Sequence, residues 1–245
     1  MKAVLLVGGL GTRLRSVLPD TAKPLASVGD ETFLALLVRQ LRNQGITKLV
    51  MCTGYRSEQV EEAFGDGSSL GVLIEYSREE SPLGTGGALA LAAPYLREDA
   101  DFILTNDDSF VEVDLDQMIR FHYAHKGCLT MALRQVDDAG RYGTVHAEQD
   151  GRISAFVEKT GLQQPGLVNA GVYVINRGVL KELPSGASSL EKDVFPKLIE
   201  RGMYGFDRTG VFIDIGTPED LARAREMSEK LKRSAAALSG QKSTR

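Results

Sequence analysis

Five apolar residues in a row, Ala3 to Val7, predict a buried strand, and Gly8, Gly9 and Gly11 break the run directly after it. An apolar-periodic helix is predicted at FLALLVRQLRNQG, with Gly45 as its C-cap. A strand at KLVMCTG, a short helix at SEQVEEAF and a strand at VLIEYS follow. GGALALAAPYL reads as a helix, DADFILTN as a strand ending in carboxylates, and DLDQMIRFHYAHKG as an amphipathic helix ending at Gly127. This alternation predicts an α/β fold, a mixed and mostly parallel sheet flanked by helices.

After Gly127 the pattern changes. LTMALRQV, YGTVHAEQDGRISAFVEK and LVNAGVYVINR read as antiparallel strands, with Gln149-Asp150-Gly151 as a hairpin turn. A β-rich subregion is therefore expected, inserted or appended. Ser188 with Glu191 three residues on reads as a capping box for a helix at SLEKDVFPKLIERG, which Pro196 would kink or end early. Thr217-Pro218-Glu219-Asp220 starts the last helix, with an N-cap threonine, proline at the first helical position and acids in the first turn. The small, polar residues 234–245 are expected to be a disordered tail. No repeat is present, and 245 residues suit a single domain over 1–233.

Composition narrows the chemistry. A net charge of −4 gives no basic nucleic-acid surface, so any Arg or Lys function must be local. Cys52 and Cys128 lie in apolar strand-like runs and read as reduced core residues. No apolar run approaches the ~18 residues of a membrane span and no signal-peptide pattern is seen, so a cytoplasmic protein is expected. His122, His125 and His146 show no metal-ligand spacing, and the first two are expected on a surface helix.

The glycine turn admits three readings. A Rossmann dinucleotide fingerprint needs G-x-G-x-x-G and an acid ending the second strand; Leu14 stands at the third glycine, and that strand ends Met51-Cys52-Thr53-Gly54. A Walker A loop needs Gly-Lys-Ser/Thr after four intervening residues, and Gly8 onward offers none. What remains is a loop of backbone N–H donors followed by Arg13 and Lys23, suited to a triphosphate. Each cation alone reads equally as a solvated charge. For Lys23, Pro24 weighs against that, because it stiffens the backbone and biases Lys23 toward extended geometry.

GGLGTRL, the later KPL and the run PLGTGGALA resemble the sugar-1-phosphate nucleotidyltransferases, which make nucleotide-activated sugars from a nucleoside triphosphate and a sugar 1-phosphate. The resemblance continues in order through NDDS, VEK, LVNAGVYV and FIDIGTPED. It implies a Rossmann-like nucleotidyltransferase fold, mainly nucleotide-binding over 1–127, with a β-rich subregion over 128–233 for the sugar phosphate. PLGTGGA, RYGTV and the short length most resemble the D-glycero-α-D-manno-heptose 1-phosphate guanylyltransferases.

A phosphate monoester has a second pKa near ~6, so a sugar 1-phosphate is a dianion near neutrality and needs no general base. The obstacle is electrostatic: an anion must reach the α-phosphorus while pyrophosphate leaves in line, so positioning and charge neutralisation dominate. By the resemblance, Arg13, Lys23 and Asp108 are the catalytic residues, with Arg13 and the glycine-loop amides on the β- and γ-phosphates and Lys23 on the α-phosphate. The nucleotide-binding set it implies is Leu6, Gly8, Gly9, Gly11, Thr12, Arg13, Glu79, Gly84, Thr85 and Asn106. Asp108 and Asp214 would hold Mg²⁺, a hard cation that takes one or two carboxylates plus substrate phosphates. Asp107 stands where the family commonly has glycine (N-G-D). It reads either as an outward-pointing acid in a turn or as added charge beside the metal.

Gly84 and Gly86 would let a base lie against backbone, and Glu79 would accept from guanine, whose N1–H and N2 amine are adjacent donors. Glu79 or Glu80 is equally readable as a solvated charge. For the sugar phosphate the resemblance implies Tyr142, Gly143, Glu158, Lys159, Asn169 and Gly171. GTP with heptose 1-phosphate is the leading substrate pair, with mannose 1-phosphate or UTP as alternatives. A glycosyltransferase using NDDS would explain Asp108 but not GGLGTRL with Lys23, and a non-catalytic nucleotide- or sugar-binding protein is the third class.

Overall fold

The computed structural model describes residues 1–157, 161 and 163–237. The opening apolar run forms β1 (Ala3–Leu6), and the segment after the glycine turn carries a small hairpin, β2 (Ser27–Val28) and β3 (Glu31–Thr32). Helix α1 (Phe33–Asn43) starts at Thr32, whose hydroxyl accepts from the Ala35 N–H at 3.2 Å, and unwinds through Gly45 at φ 83°. β4 (Lys48–Thr53), α2 (Ser57–Phe64), β5 (Leu73–Arg78), α3 (Gly84–Ala92) and β6 (Asp101–Asn106) follow. The strands run parallel in the order β6-β1-β4-β5, as the alternating pattern predicts. With period two, Ala3 and Leu5 enter the apolar layer on one face, and Val4 and Leu6 the layer on the other.

The rest of the chain extends the same sheet. β7 (Ser109–Val113) and α4 (Leu115–His125) lead into β8 (Leu129–Val136), and the expected hairpin is β9 (Thr144–Ala147) and β10 (Ile153–Val157). Gly151, at φ 84°, turns that hairpin. The long β11 (Gly166–Asn176) joins the halves, pairing antiparallel with β8 along one side and, on the other, with β6 through its C-terminal half and with β9 at Val168. After α5 (Phe195–Leu198), β12 (Met203–Phe206) adds to β8 in parallel. β13 (Thr209–Asp214) pairs with β7 as a separate two-stranded ribbon, and α6 (Pro218–Glu226) and α7 (Ser228–Ala237) close the described chain.

Four expectations change. Residues 234–237 are not a disordered tail: they complete α7, with Ser234 and Ala235 buried and the Ala235 carbonyl accepting from Asn43 Nδ2 at 2.9 Å. Their small side chains allow close packing of α7 on α1; residues 238–245 lie outside the described residues. His122 is not on the surface but 2% exposed on the inner face of α4, its Nδ1 2.9 Å from Thr130 Oγ1. Helix α4 ends at His125 rather than Gly127, with Lys126 taking the left-handed turn at φ 51°. The cap before α5 is Ser189 rather than Ser188: its hydroxyl accepts from Lys192 N at 3.3 Å and opens a π-helical turn, Leu190–Val194, ahead of the proline.

Candidate active site

Two adjoining cavities open where β1, β4 and β6 end, the edge at which open α/β sheets place their ligands. The larger, of about 410 Å³, has apolar walls from Leu6, Cys52, Pro82 and Ala88, and polar ones from Gly8, Gly9, Lys23, Glu79, Gly84 and Thr85. The second, of about 230 Å³, is walled by Arg13, Arg141, Tyr142, Gly143, Asn169 and Asp214. Asn106, Asp108 and Glu191 line both. Of the expected site residues, Gly11, Thr12 and Gly171 line neither cavity, and Glu158 and Lys159 lie outside the described residues. Gly11 shapes the loop instead: at φ 57° it turns the chain into Thr12–Leu14, against the Lys23 side chain.

Lys23 lies between two acids. Its Nζ is 2.9 Å from Asp107 Oδ1 and 2.9 Å from Asp108 Oδ2. Burial works against the ammonium, and the two carboxylates more than offset that, so it is held firmly charged. Asp107 is thus not the outward-pointing acid of a turn. It is 4% exposed, does not adopt the left-handed backbone open to glycine, and has one oxygen, Oδ2, buried without a partner. Burial pushes its carboxyl up to about 6 against the pull of Lys23.

Asp108 and Asp214 converge through the ribbon. Ser109 and Asp214 are register partners, and the Ser109 hydroxyl lies 3.2 Å from Asp108 Oδ1 and 3.4 Å from Asp214 Oδ2. Burial, and then the charge of Asp108, push Asp214 up to about 6. Burial presses Asp108 the same way, and the Lys23 ammonium reverses it, holding that carboxyl below its ordinary value. No group of three acidic, His or Cys ligands is present among the described residues. Two hard carboxylates, crowded together beside a cavity, fit one divalent cation completed by phosphate oxygens.

Glu79 is half-buried at the end of the larger cavity, whereas Glu80 is exposed. A Cβ at Gly54 would meet Glu79 Oε1 at 2.5 Å, so the bare backbone there is what admits the carboxylate. Its other oxygen accepts from the Leu83 N–H at 3.1 Å, and burial raises its pKa. The glycines that open α3 serve a different contact from the one expected. Added Cβ atoms at Gly84 and Gly86 would each come 2.6 Å from Ser188, at its carbonyl and hydroxyl oxygens respectively, so these glycines seat α3 on residue 188. Thr85 locks the same junction, its hydroxyl accepting from Leu190 N at 2.8 Å and donating to Glu191 Oε2 at 2.9 Å.

In the second cavity the Asn169 amide donates to the Tyr173 hydroxyl at 2.7 Å and accepts from Gly171 N at 3.0 Å, fixing an irregularity in the β11–β8 pairing. Gly171 lies beneath, against Asn106 and Ser109. Three residues that sequence reasoning gave no site role belong here. Arg141 is anchored on the buried Asp220, and Glu191 stands at the seam of the cavities. Glu191 reads as half of a capping box, and nothing local links Arg141 to an acid 79 residues away.

Known proteins resemble this chain over most of its length. The D-glycero-alpha-D-manno-heptose 1-phosphate guanylyltransferase of Aneurinibacillus thermoaerophilus is 40% identical over 228 residues, 92% of this chain and 97% of that protein. The mannose-1-phosphate guanylyltransferase of Mycobacterium tuberculosis is 39% identical over 225 residues, 90% of this chain but 62% of its own length, so the chain spans less than two thirds of that relative. Crystalline HddC from Yersinia pseudotuberculosis, complexed with GMP-PN, superposes with a TM-score of 0.81 at 32% identity, covering 92% of this chain and 98% of that one. A model of the nucleotidyl transferase family matches residues 2–230, and this chain belongs to that family.

Proposed function

We propose that the protein transfers a guanylyl group from GTP to D-glycero-α-D-manno-heptose 1-phosphate, giving GDP-heptose and pyrophosphate. The observation that carries this reading is the seam. Two cavities, one with apolar walls and a carboxylate, the other with two arginines, meet at Asp108, which is where two anionic substrates would have to meet. Glu79 suits the N1–H and N2 amine of guanine, and Leu6, Pro82 and Ala88 suit the faces of the base. Gly8, Gly9, Arg13 and Asn106 would hold the ribose and phosphates, with Gly11 and Thr12 setting the path of the loop and Gly84 and Thr85 keeping the base loop in place.

In the second cavity Tyr142, Gly143 and Asn169 would line the sugar, Gly171 would keep Asn106 in place beneath it, and Glu158 and Lys159 would complete the site. A phosphate oxygen of the sugar 1-phosphate attacks the α-phosphorus, the bond to the bridging oxygen breaks, and pyrophosphate leaves with the electron pair; no proton has to move. Lys23 neutralises the α-phosphate, and Arg13 the leaving pyrophosphate. Asp108 and Asp214 would hold Mg²⁺, which supplies charge neutralisation across the phosphates when bound. The cytoplasm is the compartment we propose, in keeping with two buried, unpaired cysteines.

Mannose 1-phosphate is the second reading, favoured by the 39% identity to the mannose enzyme. The test is pyrophosphate release in Mg²⁺ buffer, pairing GTP, UTP, dTTP, CTP and ATP with heptose, mannose and glucose 1-phosphates. Release confined to GTP with the heptose phosphate is the expected result. Preference for another pair replaces the substrate, and no release from folded, nucleotide-binding protein overturns the activity.

A further inference from the structure

The sharing of Lys23 between two acids creates a competition. Asp108 is one of the two carboxylates assigned above to a divalent cation, and it also accepts from Lys23 Nζ at 2.9 Å. An ammonium and a metal ion are like charges seeking the same oxygens. With Asp108 as its only acid, Lys23 would lose its protein counter-ion each time the metal bound and would depend on the substrate phosphate alone, a costly state for a buried charge.

Asp107 removes that conflict. Its side chain is 6% exposed, it borders the larger cavity, and Lys23 is its one side-chain partner among the described residues. Its Oδ2 atom is buried and unpartnered, so no other group competes with Lys23 for that oxygen. The backbone of Gly9 fixes the other side: a Cβ there would come within 3.9 Å of Lys23 Nζ, so the ammonium lies directly under the glycine loop.

We infer that Asp107 is a positioning residue, the resident counter-ion of Lys23, which keeps the ammonium beneath the glycine loop while Asp108 is released to the metal. This inference rests on the metal pair proposed above. Three cations bear on a shared set of acids: Lys23 on Asp107 and Asp108, Arg13 on Asp108, and the metal, as proposed above, on Asp108 and Asp214. Removing Asp107 therefore forces Lys23 and the metal onto one carboxylate.

The test is Mn²⁺ binding by electron paramagnetic resonance in the presence of a non-hydrolysable GTP analogue, independent of turnover. Asp107→Asn is expected to weaken Mn²⁺ binding about tenfold, and in a Lys23→Met background the same change is expected to cost about threefold or less, because no lysine competes. Asp107→Ser serves the same comparison if the amide disturbs the loop, with thermal midpoints confirming the fold. Equal weakening in both backgrounds would mean that Asp107 acts only through its charge, and unchanged affinity would mean that it does not act; either overturns the inference. Asp108→Asn separates the two levels. If it leaves Mn²⁺ affinity intact, the metal pair fails and this inference with it, whereas weakening by Asp108→Asn alone overturns only the role of Asp107.

Discussion

The Arg141 guanidinium donates through a single nitrogen, Nη2, to both carboxylate oxygens of Asp220, at 3.1 and 2.9 Å. Asp220 is 3% exposed and is held in turn by Arg223 Nη2 and the Thr217 hydroxyl, at 2.8 Å each. The acid at the start of α6 thus ties down the loop before β9 while leaving Nε and Nη1 of Arg141 uncommitted among the described residues. Arg141→Ala is expected to raise the KM for the sugar 1-phosphate about tenfold or more, the worth of a charged hydrogen bond, with the KM for GTP little changed. Steady-state kinetics with each substrate varied separately check this. Equal effects on both substrates would remove Arg141 from the sugar-phosphate side.

Lys23→Met is expected to keep the fold and lose at least ~10²-fold in turnover, since preorganised charge at a transferring phosphoryl group commonly has that effect. Circular dichroism and pyrophosphate release measured on the same preparation separate the two. Unchanged kinetics would rule out its contact with the α-phosphate.

For Glu79→Gln the efficiency with GTP is expected to drop ~10- to 100-fold, because a charged acceptor facing two donors is replaced by a neutral amide. Efficiency with ATP, which lacks those donors, is expected to change little. A matched loss for both nucleotides would place Glu79 in loop architecture rather than in base selection.

His122 gives a pH dependence. Burial lowers its pKa and the acid at Asp101, 3.6 Å from Nε2, only partly opposes this. The folded protein therefore takes up the imidazole proton less readily than the unfolded chain, whose histidine titrates near ~6.5. The stability contribution is complete above that pH and is lost as pH falls below it. Thermal midpoints measured from pH 7.5 down to 5 should fall more steeply for the natural chain than for His122→Asn, which keeps a polar group near the Nδ1 position. Parallel slopes would show that another group controls the acid side.

What the sequence made legible was local. The run AVLLV, the alternating helices and strands of the first half and the hairpin at Gly151 follow from periodicity and turn chemistry acting over a few residues. NDDS and DIGT could be read as carboxylates at strand ends for the same reason. What could not be read depends on partners far along the chain. Small polar residues at 234–237 look unstructured until α1 gives them a surface to pack on. Asp107 reads equally as a turn acid or as charge beside a metal until Lys23, 84 residues earlier, is placed beside it. Glu191 looks like a helix cap because the cavities that it borders are assembled from other elements.

The ribbon of β7 and β13 has a consequence in time. Ser109 and Asp214 face each other across it, 105 residues apart in sequence. A chain emerging from the ribosome can complete the parallel sheet, the glycine loop and the Lys23 clamp while the strand carrying the second carboxylate is still being synthesised. The pairing that brings Asp214 to Asp108 is therefore a late event in the life of each molecule, and no nascent fragment ending before residue 214 contains both acids. Synthesis delivers the Asp108–Asp214 pair in one step, near its end, rather than by degrees.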